Sequence, residues 1–173
     1  FLNKLHQDGH KDEALMLCCC YIEAIGNRNY HQSERKAKNY SKILEEGSGN
    51  PLFSLAHPRQ LARVLRDTKL FKNDLQKIEP IINEFGKSLQ TQQIVIDAIF
   101  PVLSEDQKNW FQDNFFKVTI AAISYDMVRS ELVHDISVGN VSFSETTVNG
   151  APIPNLNFEL LYPALLNIFR YIK

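Results

Sequence analysis

The chain has 173 residues and carries 19 Lys and Arg against 20 Asp and Glu, a length that allows one sizeable core and a composition ordinary for a globular protein. That excludes a disordered polyelectrolyte, and no uncharged apolar run reaches the length a bilayer crossing needs. The three cysteines are adjacent, Cys18-Cys19-Cys20, and neighbours on a helix point about 100° apart, so they fit neither a disulfide framework nor a metal site and read as reduced thiols packed as small hydrophobes. With no secretory signal at the start, the expectation is a cytoplasmic chain without membrane attachment, metal or cofactor. The near-zero net charge hides an asymmetry: between Arg28 and Lys72 ten basic residues face four acidic ones. A polyanion should therefore meet the first half of the chain.

Taken in order, Asp12 to Ile25 has apolar residues at helical spacing, with Gly26 as its expected stop. Ser33 then suits the cap of a second helix that turns Ala37, Tyr40, Ile43 and Leu44 inward and leaves Arg35, Lys36, Lys38 and Lys42 outside or at its flanks. Gly47 to Pro51 is a break. Pro58 fits the first turn of a third helix running to about Arg66, with Leu61, Val64 and Leu65 on one face. Arg59, Arg63 and Arg66, at i, i+4 and i+7, lie on the other. Such a guanidinium stripe can grip phosphates; it is also what the solvated face of an amphipathic helix looks like.

Leu70 to Leu89 predicts one or two helices interrupted near Pro80, and Ile94 to Leu103 an apolar segment halted around Pro101. Ser104 and Gln107 form a capping-box pattern ahead of Trp110, Phe111, Phe115 and Phe116, an aromatic group that reads as core rather than as a base-stacking platform. Val118 to Asp135 then predicts a nearly all-apolar helix, interrupted by Asp126 and ending in Arg129 and His134. A helix apolar all round belongs in a bundle or at a subunit interface. Beyond it Val141 to Ser144 alternates, Asn149-Gly150 is the strongest hairpin-turn signal in the chain, and Pro152 and Pro154 confine the second arm to an edge. Asn157 caps a terminal helix carrying Leu160, Leu161, Leu165, Ile168, Phe169 and Ile172, with Pro163 in its first turn or at a kink. The whole predicts one all-α helical domain over residues 1–173 with a β-hairpin insertion at about 137–156, before the C-terminal helix.

Several chemistries are absent from the motifs: no glycine-rich phosphate loop, no GxSxG, no HExxH. His6 and His10 share a helical spacing, but Gly9 lies between them and no cysteine is near, so no metal site is expected. Glu45-Glu46 and Glu105-Asp106 read as solvated charges near helix ends.

Arg129-Ser-Glu-Leu-Val-His134 resembles the HEPN superfamily (higher eukaryotes and prokaryotes nucleotide-binding domains), whose ribonuclease members carry an arginine and a histidine four to six residues apart near the end of a late helix in an all-α bundle. Ser130 departs from the Asn, Asp or His usual in that family after the arginine. The resemblance implies a HEPN-like helical bundle and a metal-independent endoribonuclease. In it His134 is the general acid or base, Arg129 stabilises charge on the phosphorane-like transition state, Ser130 orients the phosphate and Asp126 holds Arg129. Attack by the 2′-OH would leave a 2′,3′-cyclic phosphate, and Arg59, Arg63 and Arg66 would track the RNA backbone. In an ideal helix, positions five apart lie about 140° around and about 7.5 Å along the axis. Arg129 and His134 of one chain therefore do not converge on one atom, and a homodimer bringing two copies of the helix together would line one cleft with both pairs. Toxin–antitoxin and defence settings, with an inhibitory protein partner, are common in the family. The alternative expectation is a non-catalytic HEPN-like module that binds RNA, a nucleotide or a protein partner. Without any chemistry, His134 suits a helix C-terminus and Arg129 suits an ion pair with Asp126 one turn back.

Overall fold

The computed structural model describes residues 1–30, 36–129, 143 and 145–173; within them the chain is mostly helical, with one small antiparallel hairpin before the last helix. The helices are α1 (Leu2–Gln7), α2 (Lys11–Tyr30), α3 (Lys36–Gly47), α4 (Pro58–Asp67), α5 (Leu75–Glu84), α6 (Gln92–Ile99), α7 (Glu105–Asn114), α8 (Ile120–Ile123) and α9 (Phe158–Tyr171). Short 3-10 turns join them, among them Pro51–Ser54 and Phe115–Val118.

Local chemistry explains most boundaries. Pro58 occupies the first turn of α4, where its missing N–H costs nothing. Ser104 and Gln107 exchange both bonds of a capping box, and the Gln107 amide also donates to the Leu70 carbonyl and to Asp74 Oδ2, each at 3.0 Å. Asn157 Oδ1 accepts the Leu160 N–H at 3.1 Å and starts α9. Asn149 and Gly150 both have positive φ, the geometry of a tight hairpin turn, and join β1 (Thr147–Val148) to β2 (Ala151–Pro152).

Three expectations need correction. Helix α2 does not stop at Gly26 but runs through it to Tyr30, for a reason that lies in α3. There the Asn39 carbonyl passes so close to Gly26 that a Cβ would sit 2.6 Å from its oxygen. Pro80 interrupts nothing and sits inside α5; it is exposed, so the Gln76 carbonyl that loses a partner is on the wet side of a short helix. Pro163 lies inside α9 in the same way. Finally, the apolar segment is not a uniform α-helix. After the single turn of α8, Ser124–Arg129 is π-helical, a wider winding that changes which side chains are neighbours. The Ser33 cap, Arg35 and the rest of that segment's predicted course lie outside the described residues, as does most of the alternation from Val141 to Ser144.

The buried side chains form two clusters. One gathers α1, α2, α3, α8, the π-turn and α9 around Tyr40, Ile43, Leu44, Ile120 and Ile168, with Cys18 and Cys19 packed among them. The other gathers α4 to α7 around Leu61, Leu65, Phe71, Ile78, Ile99, Phe111 and Phe115. Ile120, Ala121, Ile123 and Val128 are all consumed in the first cluster. Those four side chains are thus spent within one chain, while Met127 beside them stays exposed. The clusters meet where Ala56 forms antiparallel bridges with both Gln90 and Thr119. There the Ile120 N–H donates to the Leu55 carbonyl at 2.9 Å and the His57 N–H to the Val118 carbonyl at 2.9 Å. Among the described residues no helix is long and apolar enough to cross a membrane.

Candidate functional site

Glu23 stands in a run of otherwise apolar residues, Ile22-Glu23-Ala24-Ile25, and an acid there needs a partner. Its partner is Arg129. Arg129 Nε donates to Glu23 Oε2 at 2.6 Å, with both side chains at least four-fifths buried. The guanidinium also lies 5.4 Å from the Tyr125 ring centroid, a cation–π contact. Burial works against the arginine's charge, but the Glu23 bond and carboxylate outweigh it and hold the group firmly protonated. The expected pairing of Arg129 with Asp126 is therefore not what forms. In the wider π-helical winding, positions three apart no longer stack as they do in an α-helix, and the two side chains meet different neighbours.

Asp126 opens instead on a cleft of about 570 Å³ whose wall includes Lys38, Arg63, Phe116, Lys117 and Ala122. Partial desolvation raises the Asp126 carboxyl above the usual aspartate range, and the Arg63 guanidinium pulls it back. Three elements bring the cations: Lys38 from α3, Arg63 from α4, and Lys117 from the 3-10 turn that the Gln60 amide ties to α4 by donating to the Lys117 carbonyl at 3.2 Å. Two of the ammonium groups rest on aromatic faces, Lys38 at 5.6 Å from the Phe116 centroid and Lys117 at 5.3 Å from that of Trp110. With Asp67 and Asp126 also present, the cleft holds three basic and two acidic side chains. A ligand with negative charge and an apolar edge matches that lining.

The arginine stripe of α4 is exposed on the side away from Leu61 and Leu65, as its spacing predicts. Its members differ in company. Arg59 contacts Glu145 at 3.3 Å, a carboxylate shared with Lys87, and Arg66 places Nε and Nη2 on Glu79. Arg63 faces the cleft. These exposed pairs are weak and bias the surface rather than block it. Of the catalytic candidates, Arg129 and Asp126 are thus placed on two sides of one turn, while Ser130 and His134 lie outside the described residues.

Sequence reasoning missed Glu23, Lys38 and Lys117 as site residues. Glu23 was detectable as a lone acid in an apolar run. The two lysines were not, since each reads locally as an ordinary exposed charge. His57 is a further case. Its Nε2 lies 3.1 Å from Thr146 Oγ1 and its ring tilts against Phe143, yet buried Nδ1 has no hydrogen-bond partner among the described residues; burial and, secondarily, Arg59 lower its pKa. His6 and His10 are engaged by Glu159 and Glu13, and no group of potential metal ligands gathers among the described residues. No family model, known protein or solved structure matches the chain.

Proposed function

We propose that the chain is a HEPN-like module that binds RNA, with the cleft between α3, α4 and the 3-10 turn at Phe115–Val118 as its phosphate-contacting surface. One observation carries this reading: Lys38, Arg63 and Lys117 arrive from three separate elements at one recess, whereas cations scattered over a solvated surface would have no reason to converge. The basic bias of the first half of the chain points the same way. Phe116 and Val64 give the recess an apolar wall on which a base edge can rest.

Retention of single-stranded RNA at low salt, in excess chelator, tests it. The unaltered chain should retain RNA. Lys38→Ala, Arg63→Ala and Lys117→Ala should each weaken retention and flatten its dependence on log salt by roughly 0.7 per lost phosphate contact. Absence of retention at low salt, or a triple variant that binds as before, overturns the reading.

A second reading, metal-independent RNA cleavage by a homodimer with Arg129 and His134 in a shared site, is favoured by one feature. Arg129 is held by Glu23 and Tyr125 on a π-turn, and a guanidinium fixed in advance is what stabilisation of a charged transition state requires. The same incubation separates the two. Cleavage in chelator that disappears with His134→Ala supports the catalytic reading; retention without cleavage leaves the binding module.

A further inference from the structure

Thr119 is where the chain re-enters the first cluster, and its side chain has more partners than a hydroxyl can serve alone. Its Oγ1 lies 2.8 Å from Glu45 Oε1, 2.9 Å from the Phe116 carbonyl oxygen and 3.4 Å from the Ala122 nitrogen. Two of those neighbours are oxygens, and a hydroxyl has one proton and two lone pairs. With Glu45 ionised, Thr119 can donate to the carboxylate or to the Phe116 carbonyl, not to both. With Glu45 protonated the count closes. The carboxylic acid donates to Oγ1, the Thr119 hydroxyl donates to the Phe116 carbonyl, and the second lone pair takes the Ala122 N–H.

We propose that Glu45 and Thr119 form a proton-operated clip on the 3-10 turn whose Phe116 and Lys117 line the cleft. When Glu45 carries a proton, the Thr119 hydroxyl is released to fasten the Phe116 carbonyl. When Glu45 ionises, the hydroxyl turns to the carboxylate, and among the described residues that carbonyl keeps the Thr119 backbone N–H at 3.3 Å. The fastened turn is the one that presents Phe116 and Lys117 to the cleft.

The surroundings favour a clip that works near neutrality. Glu45 is half-buried beside a recess of about 370 Å³ that it shares with Pro51, Leu55, Thr91 and Phe115. On its own helix the adjacent Glu46 repels its charge, and Glu46 is occupied by the Tyr30 hydroxyl of α2 at 2.7 Å and the Tyr171 hydroxyl of α9 at 3.3 Å. Lys42 pairs with Glu46 at 3.9 Å rather than with Glu45. Lys117, on the 3-10 turn, lies over Trp110, and the turn Pro51–Ser54 and α8 contribute no ionisable side chain. Of the remaining packed element, the π-turn, Arg129 is bound to Glu23 and Asp126 faces the cleft. Burial accordingly lifts the Glu45 carboxyl to about 7, against the Thr119 contact and with Glu46 adding to the rise. The folded chain thus holds this proton more tightly than the unfolded chain. The stability it contributes is full below the ordinary glutamate value and is lost as pH rises through about 7.

Carbon-detected NMR of the Glu45 carboxyl in the full chain, with the Lys117 and Ala122 amides followed over the same pH series, tests the clip directly. The carboxyl should titrate near 7, and both amides should shift with that same midpoint. Thermal unfolding supplies a second reading: the midpoint of the unaltered chain should fall by roughly 3 °C or more across this range, and Glu45→Gln should remove the glutamate's share of that slope. A carboxyl titrating in the ordinary range near about 4.3, or amides that do not follow it, overturns the proposal, and the NMR series decides even if the variant folds poorly. The link to ligand binding rests on the cleft reading above. Loss of all RNA retention at every pH would remove that reading while leaving the NMR titration intact.

Discussion

Arg129→Ala is expected to destabilise the chain by roughly 3 kcal/mol, because the substitution leaves the Glu23 carboxylate buried and unpaired. Removing an exposed arginine would cost a fraction of that, and the truncated guanidinium's own packing on Tyr125 adds to the loss. The double variant Glu23→Leu with Arg129→Met, which replaces the pair by apolar groups, should recover most of the stability. Chemical unfolding of Glu23→Leu, Arg129→Met and the double variant gives the coupling between the two side chains. A coupling near zero, with Arg129→Ala costing under about 1 kcal/mol, would show that the pair is not fixed in solution. The cycle also separates two roles for the same arginine. If RNA cleavage is lost in Arg129→Ala and returns with stability in the double variant, the arginine only supports the fold. If stability returns and cleavage does not, the guanidinium acts on the substrate.

Gly26→Ala should also destabilise, although helix propensity alone predicts a gain of about 1 kcal/mol. Contact reverses the sign. An added Cβ would lie 2.6 Å from the Asn39 carbonyl oxygen, 2.9 Å from its carbon and 3.1 Å from Ile43 Cγ2. The first two atoms belong to the backbone of α3 and cannot rotate away, so α2 and α3 must separate along a contact that builds much of the first cluster. Overpacking of this kind costs about 1–3 kcal/mol, and a net loss of roughly 2 kcal/mol is expected from an unfolding titration. An equal or more stable Gly26→Ala variant would mean that the two helices do not approach as closely as described.

These two positions mark where local sequence stops being informative. The Ser104–Gln107 box, the Asn157 cap, Pro58 and the Asn149-Gly150 turn were all legible because each acts within a few residues of itself. Gly26 was misread as a stop signal because its constraint comes from Asn39, on another helix. Pro80 was misread because the carbonyl it strands, on Gln76, lies on an exposed side of the helix, and exposure is a tertiary property. The pairing of Arg129 was misassigned for both reasons at once. Its partner is 106 residues away, and the π-helical winding that separates it from Asp126 leaves no trace in apolar periodicity. The cleft likewise needs α3, α4 and the 3-10 turn together, so Arg63 was found as part of a stripe while Lys38 and Lys117 passed as ordinary surface charge.

The bridges of Ala56 with Thr119 and Gln90 bear on how the chain reaches this shape. The first cluster draws its helices from the two ends of the sequence, while the second is built from the stretch between them. From the standpoint of the outer cluster, the stretch between Ala56 and Thr119 is one long closed loop, anchored in mid-course by Leu89. The entropy of closing such a loop grows only slowly with its length, by about 0.6 kcal/mol per doubling, and a loop already folded into its own core is shorter still. Contacts such as Tyr40 Oη with Ser124 Oγ, 84 residues apart, are therefore far less remote along the folded inner segment than along the bare chain. The ladder at Ala56 is the knot in that drawstring, holding the mouth of the loop at the place where the helix bearing Arg129 begins.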